Sequence, residues 1–246
     1  MMDNKDIDFD KKHIHFYDAD IPNLLKKAIE SKIKEEFNIV DLGCGDGKLL
    51  FSLQANNLLK NSRKIVGIDK SPIRIEKFKK ILPQSESFVS DVCSLDILEK
   101  ESFDIVVSSQ VIEHVSDDDQ MLKEIWRLLK PDGIAYVSSV IKKKYGLYIY
   151  RVDGKIRLDP THVREYSSGE EFSNLIKKNK FNILDIEIKP IRYPLIELLT
   201  RLLIRIGIVS ESSIQKMYIE KKWMKITKKI NVPIIGYRSI EVLCKK

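Results

Sequence analysis

The chain is poor in cysteine: Cys44, Cys93 and Cys244 are its only three, and no two of them form a C-x-x-C pair. That spacing signals neither a disulfide framework nor a cysteine-built zinc site, and a reducing cytoplasm suits it best. Long apolar runs are missing too. No window approaches the ~18 uninterrupted apolar residues of a membrane span. The first twenty residues, MMDNKDIDFDKKHIHFYDAD, carry charge where a secretory signal needs an apolar core. Internal repeats and low-complexity tracts are also lacking, so a solenoid is not indicated.

What is present is ordinary in amount and uneven in charge. A chain of 246 residues with 43% hydrophobic content can fill the core of one large α/β domain. Its 43 Lys+Arg against 36 Asp+Glu leave a net charge of +7. An anionic partner accounts for that excess, and so does a solvated lysine-rich surface.

Periodicity and punctuation divide the chain. A helix is predicted over 21–34, then an apolar strand, FNIVD, at 37–41. The glycine loop after it opens a helix over 47–59, and a second strand follows at 64–69. Ser71-Pro72 is an N-cap and N1 pair for a helix reaching Leu82. Strands are predicted at 87–91 and 103–109, and Ser116 with Asp119 resembles a capping box for the next helix. That helix stops at KPDG, and a fifth strand covers 134–140. Regular strand and helix alternation implies a parallel sheet covered on both faces. Asp153-Gly154 between two alternating runs predicts a hairpin inside an insertion over 145–168. A helix (169–178), a strand (181–188), a largely helical segment (194–230) and a last strand (237–244) finish the chain.

The loop DLGCGDGKLL decides among nucleotides. A triphosphate loop needs G-x-x-x-x-G-K-[ST]; Leu49 stands where Ser or Thr must be and Leu42 where the first glycine must be. A dinucleotide fingerprint would use Gly43 and Gly45 but meets Lys48 in place of its third glycine, which weakens that reading without removing it. What remains is Gly43, Gly45 and Gly47 with Asp41 before them and Asp46 among them. Carboxylates repel a pyrophosphate and attract the sulfonium and ammonium of S-adenosylmethionine. Asp69, ending the second strand, is placed to accept from ribose hydroxyls, with Lys70 beside it; Asp91 and the Val92 N–H are placed to meet an adenine. Taken singly, each of these acids also reads as a helix cap or a surface group.

Taken in order, IVDLGCGDGKLL, KIVGIDKSPIRIEKFKK, FVSDVCSLDI and FDIVVSSQVIEHVSDDDQMLKEIWRLLKPDGIAYVSSV resemble the successive motifs of class I S-adenosylmethionine-dependent methyltransferases. The group that includes quinone-biosynthesis and small-molecule O-methyltransferases is the most similar. The resemblance covers 37–140 and departs from the family's usual KPGG only at Asp132. It implies that Asp41, Gly43 and Gly45 contact the methionine part, Asp69 the ribose, and Asp91 and Val92 the adenine, with Gln110 along the wall. It also implies a Rossmann-like, doubly wound α/β fold: a mostly parallel seven-stranded sheet, order 3-2-1-4-5-7-6, strand 7 antiparallel, with a helical and hairpin cap. One domain over 1–246 is expected, with an arm and helix (1–36), a cofactor core (37–140) and cap insertions at about 141–168 and 191–235.

Methyl transfer needs an acceptor held in line and relieved of its proton, and no metal cluster is required or apparent. His114, just past the fourth strand, and His162, in the insertion, are the candidate catalytic residues; each also reads as a structural residue, His162 braced by Glu165 or Arg164. Glu113 reads as a buttress. Tyr17, in an N-terminal arm with His13, His15 and Phe16, joins Tyr145, Arg164 and Tyr166 as candidate substrate contacts. Lys142, Lys143, Lys144, Arg151, Lys155 and Arg157 among tyrosines suit an anionic or ring-bearing acceptor, or a solvated face.

PLIELLTRLLIRIGIV (194–209) is apolar around most of a helix and must bury that surface against its own cap, a second subunit in a homodimer, a lipophilic substrate or a bilayer. The basic stretch after it extends a peripheral membrane or lipid contact through 194–230. The expected activity is methylation of an oxygen or nitrogen on a small, anionic or lipid-linked metabolite. RNA methylation, suggested by the charge, ranks second, and a noncatalytic binding protein on the same fold third.

Overall fold

A computed structural model describes residues 21–194 apart from 33, 149 and 153, together with 203, 207, 208 and 231–246. Five helices and nine strands are named among them: α1 Asn23–Lys32, β1 Phe37–Leu42, α2 Lys48–Ala55, β2 Ser62–Asp69, α3 Pro72–Ile81, β3 Glu86–Val89, β4 Phe103–Ser109, α4 Asp118–Leu128, β5 Leu129–Lys142, β6 Tyr150–Val152, β7 Lys155–Arg157, α5 Gly169–Lys178, β8 Asn182–Pro194 and β9 Asn231–Lys245.

Seven strands form one sheet in the order β3-β2-β1-β4-β5-β9-β8. β1 to β5 pair in parallel, and β9 runs antiparallel to both β5 and β8. This is the expected 3-2-1-4-5-7-6 order, counting sheet strands only. The two faces carry separate cores. Val40, Leu42, Val66, Ile68, Ala135 and Val137 face α4 and α5, whose Met121, Ile125, Phe172 and Ile176 are fully buried. Phe37, Ile39, Ile105, Val107 and Tyr136 face α1, α2 and α3. Alternation along each strand divides the apolar residues between faces, and each fully buried Leu or Phe contributes ~1.5–3 kcal/mol.

Local chemistry sets most boundaries. Ser71 caps α3 by accepting the Arg74 N–H, with Pro72 at the first turn. The cap of α4 is Asp117, accepting from Gln120 N at 2.8 Å, which corrects the Ser116 and Asp119 assignment. β5 begins at Leu129, before the KPDG turn, because Leu129 already pairs with Phe103 and Lys130 Nζ bonds Asp104 Oδ2 at 2.7 Å. Asp132 there takes φ +64°, the left-handed conformation that the family's glycine would adopt freely. β8 and β9 run beyond their predicted spans, since the extra residues pair with each other from Arg192↔Pro233 to Pro194↔Asn231. The expected hairpin forms as β6 paired antiparallel with β7, and Asp153 between them lies outside the described residues.

Among the described residues no helix is long and apolar enough to cross a membrane. The expected helical segment at 194–230 lies outside the described residues except at Pro194, which ends β8, and at 203, 207 and 208; the N-terminal arm, Tyr17 included, lies outside entirely.

Candidate active site

The candidate site is built where the parallel strands end. Past Leu42 the chain turns back against β2, with Gly43 N and Cys44 N both bonded to Ile68 O at 2.7 and 2.8 Å. Asp69 then fixes the loop: its Oδ2 accepts the Gly45 N–H and its Oδ1 the Ser71 N–H, each at 2.9 Å.

The three glycines sit at φ +76°, +57° and +86°, for two different reasons. A Cβ on Gly43 would lie 2.4 Å from Val111 Cγ2, and one on Gly47 2.7 Å from Phe78 Cδ2. Those two make room for the protein's own packing. Above Gly45 the nearest atom is Arg74 Nη1 at 3.9 Å, so the backbone lies open to a ligand there.

Asp41, Asp46 and Asp69 are all buried around this loop. Burial, with the Asp69 charge second, pushes the Asp41 carboxyl up to about 7. Burial also raises Asp46, against its own backbone N–H bond and the nearby Lys77, Arg74 and Lys48. A cationic ligand offsets the cost of ionising these acids, and a phosphate would add to it. Buried acids and an uncovered Gly45 therefore fit S-adenosylmethionine. Farther along the edge, Asp91 is exposed and its Oδ1 accepts Cys93 N at 2.8 Å, while Val92 is buried. Lys70 is exposed. Gln110 directly follows β4 at φ +57°, its N–H directed to Ser138 O at 3.2 Å. A bulky residue in that conformation is unusual and marks a constrained position.

The two candidate histidines come together. Beyond the end of β4, the strand β5 continues and the inserted loop takes up the vacated side: Lys142 N bonds Tyr166 O at 2.7 Å and Tyr166 N bonds Val140 O at 3.2 Å. Val163 N and Arg164 N both reach Glu113 O. His114 and His162 consequently stack edge to face with ring centroids 4.8 Å apart. Each is held through Nδ1, His114 by Thr161 Oγ1 at 2.9 Å and His162 by Glu165 Oε1 at 3.0 Å. Burial, then the neighbouring His162, lowers His114 to about 4, so the ring stays neutral at ordinary pH. Glu113, fully buried, is raised by burial to about 7, with Ser139 Oγ donating to its Oε2 at 2.8 Å.

The expected substrate contacts fare differently. Arg164 spends its guanidinium on Val115 O (2.8 Å), Ser116 O (2.7 Å) and Asp118. Tyr166 is buried, with its hydroxyl on Asp118 Oδ2 at 3.0 Å. Both brace the insertion against the loop after β4. Tyr145 is exposed. Lys142 turns inward to Ile156 O and toward Glu165 Oε2 at 3.8 Å. Sequence reasoning missed Asp159 and Thr161, whose Asp-Pro-Thr-His order was the available signal: Thr161 Oγ1 donates to Asp159 Oδ1 at 2.6 Å.

Comparison with known proteins agrees with this architecture. Residues 40–137 match the family model described as a methyltransferase domain. The ubiquinone biosynthesis O-methyltransferase of Bartonella quintana is 27% identical over 159 residues, 61% of this chain and 62% of that protein, somewhat less than two thirds of its length. Its counterpart in Pelagibacter ubique is 26% identical over 183 residues, covering 73% of this chain and 74% of that one. Among solved structures, an S-adenosylmethionine-dependent methyltransferase from Methanosarcina mazei superposes with TM-score 0.60 at 16% identity, covering 93% of this chain and 99% of that one. Phosphoethanolamine N-methyltransferase 2 of Haemonchus contortus, solved with S-adenosyl-L-methionine, superposes at TM-score 0.59 and 19% identity over 90% of this chain and 52% of that one. Residues 40–137 thus match the methyltransferase-domain family, on a Rossmann-like seven-stranded sheet whose last strand is antiparallel, with the glycine loop and its acids at the ends of the parallel strands.

Proposed function

We propose that this protein methylates an oxygen of a small, ring-bearing acceptor that is anionic or lipid-linked. The observation that carries the proposal is the pair of histidines, His114 and His162, brought together just past the end of β4, with burial keeping the His114 ring neutral. A hydroxyl acceptor needs its proton removed and its oxygen aimed, and an unprotonated imidazole near neutral pH does both. The curated relatives from Bartonella quintana and Pelagibacter ubique are named as O-methyltransferases, which supports oxygen over nitrogen.

In this reading Gly43, Gly45 and Asp41 receive the methionine part of the cofactor, Asp69 its ribose, and Asp91 with the Val92 N–H its adenine. Asp46, Gly47, Lys70 and Gln110 complete the surround. The cofactor supplies a methyl carbon already activated by a sulfonium leaving group. The protein's work is positional: the Asp69 bond to Gly45 N holds the loop, and the braces from Arg164 and Tyr166 hold the insertion over the acceptor. One of His114 and His162 takes the acceptor's proton or orients its oxygen.

Incubation with methyl-labelled S-adenosylmethionine and fractionated small-molecule extracts tests the proposal. Label in a phenolic or other hydroxyl metabolite supports it. Label confined to nitrogen compounds, or to RNA in a salt-sensitive manner, overturns it.

A further inference from the structure

Three side chains at the candidate site turn acceptor atoms toward one another. Thr161 Oγ1 gives its hydrogen to Asp159 Oδ1, so it takes one from His114 Nδ1–H, leaving a lone pair on His114 Nε2. His162 Nδ1–H is given to Glu165 Oε1, which also takes the Leu158 N–H at 2.7 Å; His162 Nε2 is then a lone pair as well. Glu113 Oε2 accepts from Ser139, and its Oε1 is buried with no hydrogen-bond partner. One ligand atom from each of Glu113, His114 and His162 lies within 4.8 Å of the other two.

Buried acceptors facing each other are costly unless something positive lies between them. We propose that Glu113, His114 and His162 bind a divalent first-row transition cation of the zinc class, leaving one coordination position for the acceptor oxygen. Zinc bonds of ~2.0–2.2 Å place tetrahedral ligand atoms ~3.3–3.5 Å apart, so the widest pair, within 4.8 Å, needs to close by about 1.3–1.5 Å. Two imidazoles with one carboxylate is a zinc donor set, whereas calcium and magnesium favour oxygen alone. The outer contacts also suit a metal: each imidazole gives its other N–H to a partner, His162 to a carboxylate and His114 to a hydroxyl tied to a carboxylate, and such contacts fix tautomer and ring direction.

The site rests on the methyltransferase reading and sharpens it. An acceptor hydroxyl bound to the cation loses its proton to water more readily. The resulting oxygen anion forms a bond to the methyl carbon while the carbon–sulfur pair returns to sulfur, and anion plus sulfonium become two neutral products. The histidines then orient the acceptor through the cation and do not take its proton themselves.

The test uses the full chain without an affinity tag, stripped with a chelator and dialysed against zinc or cobalt(II). The wild type should bind one more equivalent than Glu113→Gln or a His114→Gln/His162→Gln double variant, which controls for His13 and His15. Cobalt should give the intense visible bands of a four- or five-coordinate ion in the wild type, weakened at least tenfold in the variants. Titration with S-adenosylmethionine on the same samples reports the methyltransferase reading separately. Should those variants fail to fold, a His13→Gln/His15→Gln variant decides: it should keep the wild-type cobalt spectrum, and loss of the bands there overturns the site. Wild-type protein that binds the cofactor but gives no extra equivalent and only the weak bands of hydrated cobalt overturns the metal site and leaves a proton shared within the cluster. Loss of cofactor binding overturns the functional reading itself.

Discussion

Asp69 Oδ2 accepts the Gly45 N–H at 2.9 Å, so the acid at the end of β2 holds the middle of the glycine loop that leaves β1. Its other oxygen holds Ser71 N and starts α3. One carboxylate thus shapes the loop and orders the helix behind it. Asp69→Ala should leave two backbone N–H groups without this partner, at about 1–3 kcal/mol each. We predict a lower Tm and S-adenosylmethionine binding weaker by about 10- to 100-fold, read by thermal melting and calorimetry. Asp69→Asn, which keeps one acceptor, should recover part of the stability and less of the affinity.

Gly43 and Gly45 separate packing from ligand access. Alanine at Gly43 meets Val111 at 2.4 Å in addition to its left-handed backbone, and should cost about 2–5 kcal/mol of stability. Alanine at Gly45 meets nothing nearer than Arg74 at 3.9 Å and should cost only the backbone strain, about 1–2 kcal/mol. Gly45→Ala should therefore fold while losing cofactor affinity. Denaturant melts beside calorimetric titrations check both halves.

The Asp41 carboxyl, at about 7 when folded against 3.8 ordinarily, holds a proton that the unfolded chain has released. Stability from this group is complete below about 4 and is lost as pH rises through about 7. His114 acts oppositely: held at about 4 against 6.5, it is less protonated when folded, and stability from it rises with pH across that interval. The difference between wild type and Asp41→Asn isolates the acid. That difference should move against the wild type as pH goes from 4 to 8, measured by urea midpoints.

Arg164 crosses from the insertion to the loop after β4 and bonds Val115 O and Ser116 O. Arg164→Lys keeps charge but loses the fork. We predict little change in S-adenosylmethionine affinity and a fall in turnover of about 10- to 100-fold, the scale of an acceptor misplaced by an ångström. Steady-state kinetics with the identified acceptor, beside the calorimetry, reads both.

The parallel alternation of strand and helix and the glycine loop were legible because periodicity, Ser71-Pro72 and the spacing of Gly43, Gly45 and Gly47 are local signals; the strand order came from the resemblance to methyltransferase motifs. The helix Gly169–Lys178 was legible to the residue, since Ser168 caps it and Asn179 follows its last turn. What escaped was long-range. Leu129 joins β5 only because Phe103 lies beside it, and β8 lengthens only because β9 offers partners. His114 and His162 were each singled out, but nothing near either in sequence says that they meet or that Glu113 completes a trio. That follows from the insertion pairing beside the end of β5, where β4 has already stopped.

The account turns on buried acids around Gly45 choosing a sulfonium over a phosphate. Calorimetric titration of the full chain with S-adenosylmethionine, and in parallel with NAD, tests it most directly. We predict saturable one-to-one binding of S-adenosylmethionine in the range of about 1 μM to 1 mM typical of enzyme substrates, and no heat from NAD. Equal or tighter binding of NAD, or silence toward S-adenosylmethionine, would contradict it.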